Sequence, residues 1–142
     1  MNALTGRLVG LALSVPSLAV LVTARNLSPD PSGVGTHKQL GLGGCSILLT
    51  TGVPCPMCGM TTTFSHMAHF EPLEALCNQP FGVFLFLLTV VCLYIGVAEL
   101  LQPRDRPARV WKQLQRRELL WATSLIGGML LGWLYKIWLF KF

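Results

Sequence analysis

Three long apolar stretches alternate with polar segments along the chain. They cover residues 8–24, 81–101 and 119–139, and the two later stretches hold one charged residue each, Glu99 and Lys136. About 20 consecutive apolar residues cross the hydrocarbon core of a bilayer as a helix. The pattern therefore predicts an all-α integral membrane protein with three transmembrane helices.

The first stretch has a second interpretation. Arg7 precedes it, and the small residues of 22–24 resemble the cleavage site of a secretory signal peptide. We interpret residues 8–24 as a retained anchor helix that is kinked at Pro16.

The polar segments complete a single membrane domain over residues 1–142. Residues 26–44 are rich in proline and glycine and are predicted to form an outer loop. Residues 45–79 contain apolar runs too short to cross a membrane, so we expect a cysteine-containing re-entrant or interfacial helical segment between the first two spans. Residues 102–118 are predicted to form a basic loop, with Arg104, Arg106, Arg109, Lys112, Arg116 and Arg117.

The basic loop predicts the orientation. Short loops rich in Lys and Arg stay in the cytoplasm. We expect a protein of the bacterial inner membrane with a cytoplasmic N-terminus, and with the cysteine segment and the C-terminus on the non-cytoplasmic side. Lys136 near the end of the last span is expected to extend towards the lipid headgroups.

Composition narrows the class of protein and of partner. Hydrophobic residues make up 52% of the chain, charged residues only 12%, and the mean hydropathy is +0.56. These values exclude an ordinary soluble domain. The net charge of +5 lies mostly in one loop, which favours contact with membrane lipid and argues against binding of nucleic acid.

The chemistry is concentrated in residues 53–64. Cys55 and Cys58 are two residues apart in a turn that also contains proline, so their sulfurs can converge on each other or on one metal ion. Cys58 directly precedes a predicted helix, whose N-terminal dipole predicts a lowered pKa for its thiol. We expect the hydroxyls of residues 61–63 to bond the backbone of that helix.

This segment resembles a widespread bacterial family of small membrane proteins of unknown function. The resemblance rests on the signature Thr-Gly-x-x-Cys-Pro-x-Cys-Gly-x-Thr, which residues 51–61 match, and extends from about residue 35 to residue 80. Many members carry Arg after the last threonine of the signature, whereas this chain has Thr62. The resemblance implies membership of the family and no particular activity.

The cysteines admit three interpretations. Cys55 and Cys58 are expected to form a structural disulfide or part of a buried thiol cluster, because an oxidising compartment favours such pairs. As a redox pair, they would exchange disulfides with a substrate, with Cys45 and Cys77 as a relaying pair. As metal ligands for zinc or another metal, the candidates are Cys45, Cys55, Cys58, His66 and His69, with His37 as an alternative histidine.

The last span carries a face of small residues, formed by Ser124, Gly128 and Gly132. Such a face allows another helix to approach closely, which suggests a partner in the membrane. Together these features predict an accessory or scaffold subunit of a larger membrane protein complex rather than an enzyme. Its cysteine cap would be held by a disulfide or a metal. The alternatives are a membrane thiol-disulfide oxidoreductase and a metal-binding membrane module.

Overall fold

A computed structural model describes residues 3–104 and 106–141, and this part of the chain contains helices and no strands. A 3-10 helix covers Thr36–Leu40. The α-helices are α1 (Ala3–Asn26), α2 (Ser46–Thr51), α3 (Met60–Ala68), α4 (Pro72–Asn78), α5 (Pro80–Leu101), α6 (Arg106–Gln115) and α7 (Glu118–Lys141).

Three of the helices are long and apolar enough to cross a membrane. The candidate spans are Leu4–Asn26, Pro80–Leu101 and Glu118–Leu139. Most of their leucine and valine side chains are exposed in the isolated chain, as expected for surfaces that face lipid. The predicted fold class is confirmed. The first helix is longer than residues 8–24, and Pro16 lies inside it.

Helices α1 and α5 form a tightly packed antiparallel pair. Gly10 lies beside Gly96, and Gly6 lies beside Pro103. A Cβ atom added to Gly96 would lie 2.7 Å from the backbone nitrogen of Ser14 and 2.9 Å from the carbonyl oxygen of Gly10. The two backbones therefore approach as closely as glycine allows, which is how helices associate in lipid.

Phe81 of α5 packs against the glycine face of α7. A Cβ atom added to Gly128 or Gly132 would lie 3.1 Å or 3.0 Å from Phe81 at the start of α5. The hydroxyl of Ser124 donates to the carbonyl of Leu120 in its own helix. The two glycines of the predicted packing face therefore accommodate an aromatic ring of the same chain.

The basic segment contains a helix where we expected a loop. Helix α6 occupies most of residues 102–118, and it lies near the end of α5 and the start of α7. Its apolar residues Val110, Trp111 and Leu114 recur at helical spacing. A basic amphipathic helix is typical of the membrane surface.

Residues 28–79, which we call the cap, cover the end of the bundle where α1 ends and α5 begins. The cap has a polar interior, and its most deeply buried polar residues are Thr36, Thr62, Thr63, Ser65, Asn78 and Gln79. Its exposed surface is apolar in many places, including Leu40, Leu42, Ile47, Leu49, Met57, Phe70 and Leu73. Soluble domains show the opposite arrangement.

Hydrogen bonds between separate segments hold this interior. The hydroxyls of Thr36 and Thr62 lie 2.8 Å apart, which joins the 3-10 helix to α3. The amide of Asn78 donates to the Thr63 hydroxyl at 2.9 Å and to the Gly59 carbonyl at 3.0 Å. The hydroxyls of Thr62 and Thr63 thus connect different segments of the chain, and our expectation that they would bond their own helix was wrong.

Candidate metal centre

Three cysteines from two separate segments meet in the cap. Cys45 lies directly before α2, while Cys55 and Cys58 belong to the turn that leads into α3. The three Sγ atoms all lie within 4.8 Å of one another. Cys58 is buried with 6% of its surface exposed, and the other two are half-buried.

The turn between Cys55 and Cys58 is fixed by its own backbone bonds. The N–H of Cys58 donates to the Cys55 carbonyl at 2.9 Å, and the N–H of Cys55 donates to the Cys58 sulfur at 3.2 Å. Pro54 and Pro56 restrict the backbone on either side of Cys55. An N–H group that points at sulfur stabilises negative charge on that sulfur, which offsets a part of the effect of burial on Cys58.

Gly59 allows other segments to close over the cluster. Its φ of 87° lies in the left-handed region that favours glycine. A Cβ atom at this position would lie 2.7 Å from the Gly33 carbonyl oxygen and 2.9 Å from the Lys136 ammonium. The residue next to Cys58 therefore has to be small for the outer loop and α7 to reach the cluster.

The thiols of Cys58 and Cys45 have opposite pKa shifts. Burial, together with the neighbouring thiols of Cys55 and Cys45, raises the pKa of Cys58 to about 12. The prediction of a low pKa for this thiol was wrong, because the loss of solvation outweighs the position before α3.

Cys45 is the more acidic of these two thiols. The backbone N–H of Leu48 and the thiol of Cys58 are the main causes that lower the pKa of Cys45 to about 7. The sequence rule that we applied to Cys58 applies to Cys45 as well, because Ser46 begins a helix.

The three sulfurs are close enough together to hold one metal ion. Zinc bonds thiolate sulfur at about 2.3 Å, so three sulfurs around one ion lie about 4 Å apart. Since the sulfurs already lie within 4.8 Å of one another, small side-chain rotations bring them to this separation. A cavity of about 390 Å³ borders all three cysteines and gives access to them.

The cavity contains two further side chains that carry potential ligands. Met57 lines it with a largely exposed thioether. His37 lines it too, and its Nε2 lies 3.1 Å from the Gly43 carbonyl oxygen. His37 does not belong to the group of mutually close His, Cys, Asp and Glu ligand atoms, which consists of the three sulfurs.

The other predicted ligands lie outside this group. Nδ1 of His66 lies 2.7 Å from a carboxylate oxygen of Glu71, and Nδ1 of His69 lies 2.8 Å from the Ser65 carbonyl oxygen. Cys77 is exposed on α4 and is not part of the cluster. The structure thus brings together the cysteines of the predicted set and leaves out its histidines.

Helix α7 contributes residues to the site that our sequence analysis assigned no role there. The Lys136 ammonium is buried and donates to the carbonyl oxygens of Gly33 at 3.1 Å and Asn78 at 3.3 Å, and also to the Asn78 side chain. The indole of Trp133 donates to the Pro54 carbonyl at 2.7 Å, and the Tyr135 hydroxyl donates to the Cys77 carbonyl at 2.8 Å.

The expectation that Lys136 extends towards the headgroups was therefore wrong. A charged side chain within a span is costly unless it faces the protein interior, and this rule could have identified the residue.

Comparison with known proteins adds a family match. A family model described as "Protein of unknown function (DUF2752)" matches residues 45–93, from the first cysteine of the cluster to the middle of α5. No curated protein and no solved structure matches the chain. The match covers the three cysteines, Asn78 and Gln79, and it stops before α7.

Proposed function

We propose that the cap binds one soft metal ion through the thiolates of Cys45, Cys55 and Cys58, and that the chain serves as an accessory subunit of a larger membrane protein complex. The observation that carries the metal proposal is the convergence of three sulfurs within 4.8 Å from two segments of the chain. Convergence of this kind is what a metal-binding turn requires.

The ligand set defines the class of metal. Thiolates are soft ligands that select zinc and copper(I) over magnesium, calcium or manganese. Three sulfurs satisfy a three-coordinate copper(I) ion, and they leave one position of a tetrahedral zinc ion for an external ligand. The metal would hold the start of α2 and the turn before α3 together, because each supplies a ligand.

Metal titration of the intact protein tests this proposal. The reduced protein in mild detergent, stripped of metal with a chelator, is expected to bind one equivalent of copper(I) or zinc. Cys45→Ser, Cys55→Ser and Cys58→Ser should each weaken binding by at least about 100-fold, more than the loss of an outer-shell group.

Cys77→Ser is the matched control, because Cys77 is in the cap but outside the cluster. Binding that survives all three cluster substitutions, or no binding by the wild type, would refute the metal proposal.

Thiol-disulfide exchange is a second candidate, favoured by a low-pKa cysteine beside two other thiols. In that reaction the Cys45 thiolate attacks a disulfide of a substrate protein and releases one substrate thiolate. A second cysteine of the cluster then attacks the Cys45 sulfur, so the substrate leaves as a dithiol and the cluster is left with a disulfide. This reaction predicts a reversible two-electron couple in the metal-free protein, which equilibration with glutathione buffers would measure.

The subunit proposal is supported by the sparse packing of the third span against the second. Helix α7 packs against α5 through Phe81, and α5 and α7 line a groove of about 540 Å³ that is mostly apolar. Native mass in mild detergent tests this part. Stoichiometric larger membrane proteins are expected with the chain, whereas a lone monomer or homodimer would contradict a subunit role.

A further inference from the structure

Lys136 is the most unusual side chain in the three spans. It lies in the third span with 1% of its surface exposed. Its ammonium contacts Gly33 of the outer loop and Asn78 at the end of α4, so it joins three segments that are distant in sequence. Intramembrane charges of this kind are costly, and they usually serve a function.

The ammonium approaches the residue that follows Cys58 in the chain. A methyl group on Gly59, the residue after Cys58, would lie 2.9 Å from the Lys136 nitrogen. The ammonium also interacts electrostatically with Cys58. Asp30, Glu74 and His66 line a cavity together with Lys136, so a test of its charge needs a control among these groups.

Metal binding would place negative charge at this position. Three thiolates around a monovalent ion carry two net negative charges, and around a divalent ion they carry one. Negative charge in a buried site carries a large desolvation penalty unless a positive group lies nearby. From this juxtaposition we infer that Lys136 is the counter-ion of the metal–thiolate cluster, an inference that rests on the proposed function.

This role couples the third span to the metal. If the ammonium favours the loaded cluster, then the loaded cluster favours the position of α7 in which Lys136 reaches the cap, because binding linkage is reciprocal. Trp133 lies less than one turn before Lys136 and bonds the Pro54 carbonyl, so it belongs to the same contact. Metal loading would thus strengthen the attachment of α7 to the cap.

The experiment compares copper(I) and zinc(II) affinities of variants by competition with chelators. Lys136→Gln keeps hydrogen-bond donors without charge, and Lys136→Arg keeps the charge. We expect Lys136→Gln to weaken copper(I) binding by about 10- to 100-fold, as for other groups outside the ligand shell. Zinc(II) binding should weaken less, because the zinc cluster carries less negative charge. Lys136→Arg should restore most of the copper(I) affinity.

Three controls separate charge from structure. Lys112→Gln removes a lysine of α6 and should change neither affinity. Asp30→Asn removes a carboxylate from the cavity that Lys136 lines and should not weaken copper(I) binding. Asn78→Ala removes a hydrogen-bond partner of the ammonium but keeps the ammonium, and it should leave the ratio of the two affinities unchanged. Lys136→Met is a second variant without the charge, in case Lys136→Gln does not fold. The ratio of copper(I) to zinc(II) affinity is measured for the one of the two that remains monodisperse and helical.

The outcomes distinguish this inference from the proposed function. Equal losses for the two metals, or a folded Lys136→Gln protein that binds copper(I) as tightly as the wild type, would overturn the counter-ion role and leave the metal site standing. A wild type that binds neither metal would overturn both.

Discussion

At the scale of single residues, the surroundings of two cysteines in the cap give their thiols different pKa values. Cys45 and Cys58 are both cysteines that precede short helices, yet one pKa is lowered to about 7 and the other is raised to about 12. The Leu48 N–H lowers the pKa of Cys45, which lines the cavity and is half-buried, whereas burial raises the pKa of Cys58. Of these two thiols, Cys45 is therefore the one that is readier to react.

This difference predicts the pH dependence of alkylation. Thiolate is the reactive form, so the rate at Cys45 should rise with pH and reach half of its plateau near pH 7. The rate at Cys58 should still be low at pH 9, because its pKa lies near 12. Peptide mapping by mass spectrometry after brief iodoacetamide treatment of reduced, metal-free protein would measure both rates.

Cys77, which is exposed, provides the reference for access of the reagent to the cap. Bound metal should protect the three cluster cysteines and leave Cys77 reactive. Similar pH profiles of alkylation for Cys45 and Cys58 would contradict the arrangement of the cluster described above, in which Cys58 is buried and Cys45 is not.

At the scale of elements, glycine determines how closely helices pack. The contact of α1 with α5 has no room for one extra carbon at Gly96, whereas Gly127 on α7 faces open space. The two positions form a matched pair, because both are glycines inside long apolar helices.

Gly96→Ala should therefore destabilise the protein, and Gly127→Ala should not. Overpacking of this kind costs about 1–3 kcal/mol, while alanine at an open helical position is neutral or slightly favourable. Thermal unfolding in one detergent, followed by circular dichroism, would measure the difference in midpoint. Equal midpoints for the two variants would contradict the close contact of α1 and α5.

At the scale of the whole molecule, the cap and helix α6 lie at opposite ends of the α1–α5 pair. The basic residues of α6 predict that its end faces the cytoplasm. The cap, with the proposed metal site, should then face the other side of the membrane.

Labelling of intact cells with a membrane-impermeant maleimide tests this orientation. Cys77 should react without permeabilisation, because it is exposed in the cap. A cysteine introduced on α6 by Gln113→Cys should react only after the membrane is opened. The reverse labelling pattern would show that the orientation in the membrane is opposite to the one predicted.

Hydropathy was sufficient to predict the three spans and the helical class, because lipid requires long apolar helices. The spacing of Cys55 and Cys58 predicted a disulfide, redox or metal site, and Cys45 was among the candidate metal ligands. The roles of Thr62, Asn78 and Lys136 depend on partners far away in sequence, and local patterns carry no information about such pairs. Helix α6 was missed because its many charges resembled those of a loop.

The polar interior of the cap has a consequence for how this part of the protein folds. Folding of the cap in water would bury hydroxyls and amides and leave leucines and a phenylalanine exposed, so the hydrophobic effect would contribute little. A cap fragment cut free of the spans would therefore lack the main driving force that folds soluble domains. Its shape therefore depends on the helices to which it is attached.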